Sequence, residues 1–224
     1  MASLTPQGLY GGAIKAAIPV GWLDASDLRQ IPDHQELFLS RTTLSNLIFE
    51  INERVSEETA LASLQTSPNS AALGSNPGTT PESIDQAAAL YHLNDIRDDD
   101  SDVLRIVTLP QQVSLQKLAA ARAYKGTVQM SSAPAHSGIP PSIGGAVAGS
   151  SADGGLESTV SVHYLLVRLE EQATDILIFF NVPHKEFNEK GDSRGLSSEE
   201  ELASKVIDGL VEKFEVVDWG LFGG

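Results

Sequence analysis

The chain contains no cysteine. That excludes disulfides, thiolate metal sites and a cysteine nucleophile, and it suits a reducing compartment. Basic residues are scarce: 15 Lys and Arg stand against 30 Asp and Glu, a formal net charge of −15 with a pI near 4.6. A surface of that sign repels phosphate backbones and anionic lipid, so it disfavours nucleic acid and membranes and favours a basic protein partner. No apolar run approaches the roughly 20 residues that a membrane helix needs. The opening Met1-Ala2-Ser3-Leu4-Thr5-Pro6-Gln7 has neither the basic nor the apolar stretch of a secretory signal. No Lys/Arg cluster reads as a nuclear import signal. These absences predict a soluble intracellular protein.

Catalytic constellations are missing as well. His34, His92, His136, His163 and His184 are scattered, with no H-x-H or H-E-x-x-H spacing to hold a metal. No G-x-S-x-G elbow provides a serine nucleophile. Gly144, Gly145, Gly149, Gly154 and Gly155 form neither a dinucleotide nor a phosphate loop, and they read as linker. The run Asp98-Asp99-Asp100-Ser101-Asp102 lacks the glycine and terminal Glu of a calcium loop and reads as a solvated turn. Neither a catalytic residue, a cofactor nor a metal is expected.

What is present is a globular composition: 224 residues, 41% hydrophobic and 20% charged, enough for a real core. Two stretches depart from it, Thr66–Thr80 and Ser131–Ser158, both rich in Ser, Gly and Pro. They bury too little apolar surface to offset their ordering entropy, which predicts flexible insertions in one domain spanning residues 1–224. Alternating or β-branched runs predict strands around Leu47–Ile51, Val103–Leu109, Ala123–Met130, Val160–Leu169 and Asp175–Val182, the last two joined as a hairpin by the short polar Glu170–Thr174. Tyr10–Ile18 and Leu37–Ser40 are weaker strand candidates. One helix is expected to open at Thr80-Pro81, with Ile84, Ala87, Ala88 and Tyr91 on its apolar face. A second is expected to open with a Ser197/Glu200 capping box and to bury Leu202, Val206, Ile207, Leu210, Val211 and Phe214. Strands outnumber helices and run largely in hairpins, so the fold class is α+β with a covered antiparallel sheet.

Gly11–Phe38 is the densest stretch. Asp24 and Asp27 are three apart, and a helical turn over Ser26–Arg29 would put both carboxylates on one side. Asp33 and Glu36 repeat the spacing after Pro32, and Arg29 lies among these acids as a possible internal partner. On spacing alone this is either an ordinary solvated loop or a rigid acidic pad for Lys and Arg of another protein.

The block Gly11-Gly12-Ala13, Ile18-Pro19, Asp24-x-Ser26-Asp27-Leu28-Arg29 and Ile31-Pro32-Asp33-x-Gln35-Glu36-x-Phe38 closely resembles the Mog family, the Ran guanine nucleotide release factors. The resemblance continues through Leu47–Ile51, Ala87–Asp95, Thr174–Pro183 and Asp218–Gly223, most of the chain apart from the two insertions. It implies an α/β/α sandwich with a mostly antiparallel, roughly six-stranded sheet, a fold shared with PsbP proteins. It also implies binding to the GTPase Ran, preferentially its GTP form, promotion of nucleotide release and a role in nuclear protein import. Carried over by motif position, Asp24, Asp27, Asp33 and Glu36 are the expected Ran contacts, with Arg29 and Gln35 supporting the loop. Trp22 lies where the family tolerates other residues; as an exposed aromatic it could anchor an interface. Other Ran regulators are possible further partners. A location in nucleus and cytoplasm follows from Ran's own distribution, and no heptad calls for more than a monomer. Two rival classes remain: an acidic adaptor that leaves nucleotide exchange unchanged, and a small-ligand carrier or enzyme using a pocket in the sandwich.

Overall fold

Most of the strand-rich stretches pair into one large sheet, and a smaller sheet lies beside it. The computed structural model describes residues 3–66, 80–96, 102–132 and 158–223. The glycine cluster at 144–155 and most of the acidic run at 98–102 lie outside them, as do 67–79 and 133–157 of the two expected insertions.

The main sheet contains β3 (Leu23–Asp24), β4 (Gln35–Leu39), β5 (Asn46–Glu53), β9 (Thr174–Pro183), β8 (Ser158–Leu169), β7 (Arg122–Ser132) and β6 (Val103–Val113), in that spatial order and antiparallel throughout. It has seven strands rather than about six, because the two-residue β3 adds outside β4. The β8–β9 hairpin forms as expected and occupies the middle, where strands buried on both faces need continuous β-branched and aromatic runs. At the far edge, β6 pairs with β7 through two register shifts, between Ile106 and Thr108 and between Thr108 and Gln111.

A separate sheet of β1 (Leu4–Leu9), β2 (Ile14–Pro19) and β10 (Glu215–Val216) lies over one face of the main sheet together with α4 (Ser193–Lys213). Leu9, Ile14, Phe38, Phe49, Ile178, Phe180, Val206 and Leu210 pack there in one buried cluster. The predicted strand over Tyr10–Ile18 is therefore shortened at its start: Tyr10–Gly12 is a 3-10 turn, with Tyr10, Gly11 and Gly12 all at positive φ. The opposite face is covered by α1 (Glu57–Thr66) and α2 (Pro81–Asp95), with Leu90 and Leu93 of α2 in one buried cluster with Val162, Tyr164, Leu166 and Phe179 of the sheet. The short α3 (Lys185–Lys190) precedes α4.

Helix α2 opens as its sequence predicts, with Thr80 as N-cap accepting from the Ser83 amide and Pro81 in the first turn. Besides Ala87 and Ala88 it buries two polar residues, Asp85 and His92. Both enter a network around Arg168, which is fully buried. Arg168 Nη1 donates to Asp85 at 2.6 Å, Nε to Asp175 at 2.9 Å and Nη2 to the Val55 carbonyl at 2.6 Å. His92 lies 3.0 Å from Asp175, and the Tyr124 hydroxyl donates to Asp85 at 3.1 Å. Burial pushes the Asp175 carboxyl up, but His92, Arg168 and the Val55 amide outweigh it and hold it below the usual aspartate value.

Helix α4 departs from its predicted start. It begins four residues earlier than Ser197, capped by Asp192 accepting from the Gly195 amide at 2.8 Å. Glu200 is not a capping residue: its carboxylate meets His163 at 2.5 Å and His184 at 3.2 Å, tying the helix to β8 and to the end of β9.

Candidate functional site

The acidic block is built at the β3 edge of the sheet. After β3 the chain makes a 3-10 turn over Ala25–Asp27, one residue ahead of the expected turn, and buries Ala25 beneath it. Asp24 caps this turn, its carboxylate accepting from the Ser26 amide at 2.8 Å. Asp27 is exposed on the turn itself. The register Asp24↔Phe38 places Asp24 and Glu36 on the same face of the β3–β4 pair, since Glu36 stands two residues from Phe38. Their charges sense one another. Burial pushes the Glu36 carboxyl above its ordinary value, the Tyr10 amide pulls it back, and the Asp24 charge pushes it up again.

Glu36 is thereby separated in role from the others. Its Oε1 accepts from the Tyr10 amide at 2.6 Å, and the Tyr10 hydroxyl shares its proton between the carbonyls of Phe49 and His34, at 3.0 and 3.1 Å. Burial, with the charges of Glu36 and Glu50, raises the Tyr10 hydroxyl far above its usual range, so it stays a donor. Glu36 and Tyr10 lock the β1–β2 turn onto the β4–β5 edge.

Asp33 sits at the exposed tip before β4, where the Gln35 amide donates to the Pro32 carbonyl at 2.9 Å, beside a shallow depression lined by Gln30, Ile31 and Pro32. Gln35 donates to Glu50 at 3.1 Å and so supports the β4–β5 pair. Arg29 is exposed, and among the described residues it pairs with none of the neighbouring acids; its backbone amide closes the turn on Ala25. Trp22 is not an exposed anchor. Its ring is half-buried against Phe180, centroids 5.1 Å apart, in the core on the α4 face.

One exposed apolar side chain stands among the acids, Leu28 at 64% exposure, and gives the patch an apolar element that charge spacing did not reveal. Its only signal in the sequence is an apolar residue standing next to a turn. Among the described residues no group of three or more His, Cys, Asp or Glu is arranged to hold a metal ion. An exposed carboxylate patch of this kind does no bond chemistry by itself; it binds cations and steers basic surfaces.

A family model described as Ran-interacting Mog1 protein matches residues 7–183, from within β1 to the end of β9. The chain belongs to the Mog1 family. It is 27% identical to the Ran guanine nucleotide release factor of Danio rerio, over 96% of this chain and 98% of that protein. It is likewise 27% identical to the nuclear import protein MOG1 of Saccharomyces cerevisiae, over 96% of this chain and 83% of that protein. The crystal structure of the Saccharomyces cerevisiae Ran-binding protein Mog1p superposes with a TM-score of 0.62 at 22% identity, covering 99% of this chain and all of that one. The Mog1 fold, an α+β sandwich around an antiparallel sheet, is thus shared along the whole length.

Proposed function

We propose that this chain binds the small GTPase Ran, with preference for its GTP form, and promotes release of the bound guanine nucleotide in support of nuclear protein import. It would act as a monomer in nucleus and cytoplasm, alone or with other Ran regulators. The observation that carries this reading is the acidic block of a Mog1-family chain: Asp24 and Asp27 on the turn after β3, exposed Asp33 just before β4, and Glu36 bound to the Tyr10 amide.

Release by binding is a matter of linkage. A partner that grips the nucleotide-free GTPase more tightly than the loaded one lowers nucleotide affinity by the same factor. Carboxylates serve this twice, by pairing with cations of the GTPase and so drawing on the loops that hold nucleotide, and by speeding encounter with a basic face. Asp24, Asp27 and Asp33 are the direct contacts in this reading, while Glu36 acts through the turn it holds.

The test loads purified Ran with a fluorescent GTP analogue and follows its release into excess unlabelled nucleotide. Wild type should accelerate release and Asp27→Lys should not, with the variant's thermal melt unchanged because Asp27 is exposed. Normal release by Asp27→Lys, or normal binding by a combined Asp24, Asp27 and Asp33 to Ala variant, would remove the block from the mechanism. Binding without acceleration would favour the adaptor reading.

A further inference from the structure

The acidic block is one corner of a larger end of the molecule. The carbonyl of His34, just before β4, is bridged by Tyr10 to the β1–β2 turn. That turn leads to Ala13, whose carbonyl accepts from the amides of Val217 and Asp218 beyond β10. The next residue is Trp219. These hydrogen bonds link the acidic block to the segment that carries Trp219, and the register Gln35↔Glu50, Glu53↔Thr174 and Leu169↔Thr174 puts the start of β4 and the β8–β9 turn at the same end of the strands.

Trp219 is 43% exposed, the largest apolar side chain left open to solvent among the described residues. It is held in place: it opens a 3-10 turn over Trp219–Phe222, its ring lies 6.0 Å from that of Phe222, and Leu221 and Phe222 anchor the turn in the core. Beside it is a cavity of about 550 Å³ bounded by Leu118, Ala121 and Leu169 and by the β8–β9 turn residues Glu170 and Glu171. The cations in the neighbourhood are engaged. Arg168 is consumed by Asp85 and Asp175, and Arg122 reaches Asp85 at 3.2 Å and Glu170 at 3.5 Å. Lys117 lies 3.9 Å from Glu215. Glu171 has no ion pair among the described residues.

An ordered aromatic face, an apolar floor and an unpaired carboxylate are complementary to a side chain with a long aliphatic stem and a cationic head. A second copy of this chain is the wrong occupant, because it would bring a net −15 against the same carboxylates. We infer that the Trp219 cavity is a second docking point at the same end of the molecule as the acidic block, and that it takes a Lys or Arg side chain from a basic segment of the same protein partner. The inference rests on the Ran-binding reading and extends it from one contact to two.

The experiment titrates purified Ran by calorimetry against wild type, Trp219→Ala, Trp219→Phe, Glu171→Lys and Asp27→Lys, with a melting curve for each. Val107→Ser, on the far β6 edge, is the control. Trp219→Ala should weaken binding by about ten-fold or more, as expected of an exposed aromatic that docking covers. Trp219→Phe, which keeps an aromatic face, should recover most of that loss. Glu171→Lys should weaken binding more strongly at low salt than at high, and Val107→Ser should not change it. Should Trp219→Ala lower the melting temperature, Glu171→Lys carries the test, since that side chain is exposed. Wild-type affinity in Trp219→Ala and Glu171→Lys, with Asp27→Lys impaired, would overturn the second docking point and leave Ran binding standing. No binding by wild type would overturn both.

Discussion

Arg168 stands between Asp85 and Asp175 with its guanidinium fully removed from water, and its partners show how charge is used inside this fold. Replacing it by Met would remove the cation shared by the two buried carboxylates, leaving Asp85 with Arg122 and Asp175 with His92, a loss of about 3–5 kcal/mol that a urea denaturation curve would show. Acid should act on this network and on the separate Glu200 cluster with His163 and His184. Asp175 and Glu200 both have lowered folded values: burial raises each, but histidine partners at both sites, and Arg168 beside Asp175, outweigh it. A carboxylate with a depressed folded value contributes stability above its unfolded value and loses it as the pH falls through the folded one. Thermal stability should therefore drop as the pH is taken below about 4.5, and the drop should be shallower in Glu200→Gln, measured from melting curves across pH 7 to 3. Glu36 has the opposite sign, since its folded value is raised, and it favours the fold more below its unfolded value than at neutrality. The four acids of the N-terminal block look alike in the sequence. Only the structure separates Glu36, because its partner is a backbone amide 26 residues away that no spacing rule reaches.

At the scale of elements, what could be read from the sequence follows how local each signal is. The β8–β9 hairpin and the start of α2 are written in adjacent residues, a β-branched run around a short polar turn and a Thr-Pro start, and both form where the pattern puts them. The start of α4 misleads because Ser197 and Glu200 have the letters of a capping box while Glu200 is taken by two histidines from other elements. Asp192 does the capping, so Asp192→Ala should cost about 1 kcal/mol and Ser197→Ala close to nothing, a difference that chemical denaturation resolves. Strands β1 and β10 have no such signal of their own. Thr5 pairs with Ile18 across a turn, and Val216 meets Ile14 from the other end of the chain. Tyr10–Gly12 breaks the predicted first strand with three positive φ values, and Tyr10 is held in that turn by contacts to Glu36, Phe49 and His34.

For the molecule as a whole, a net charge of −15 makes association with a basic partner sensitive to ionic strength. The on-rate for Ran should fall several-fold between low and physiological salt while the off-rate changes much less, which stopped-flow mixing would measure. Charge also bears on the two rims of the seven-stranded sheet. One rim is the two-residue β3 with Asp24 and the acidic turn beyond it; the other is β6, kinked by two register shifts. Among the described residues neither presents the long flat row of free amides and carbonyls on which a foreign strand could lengthen the sheet. A protein that leaves Val103, Val107 and Leu109 open along that second rim is thus guarded against growing into fibrils by a defect in its own pairing.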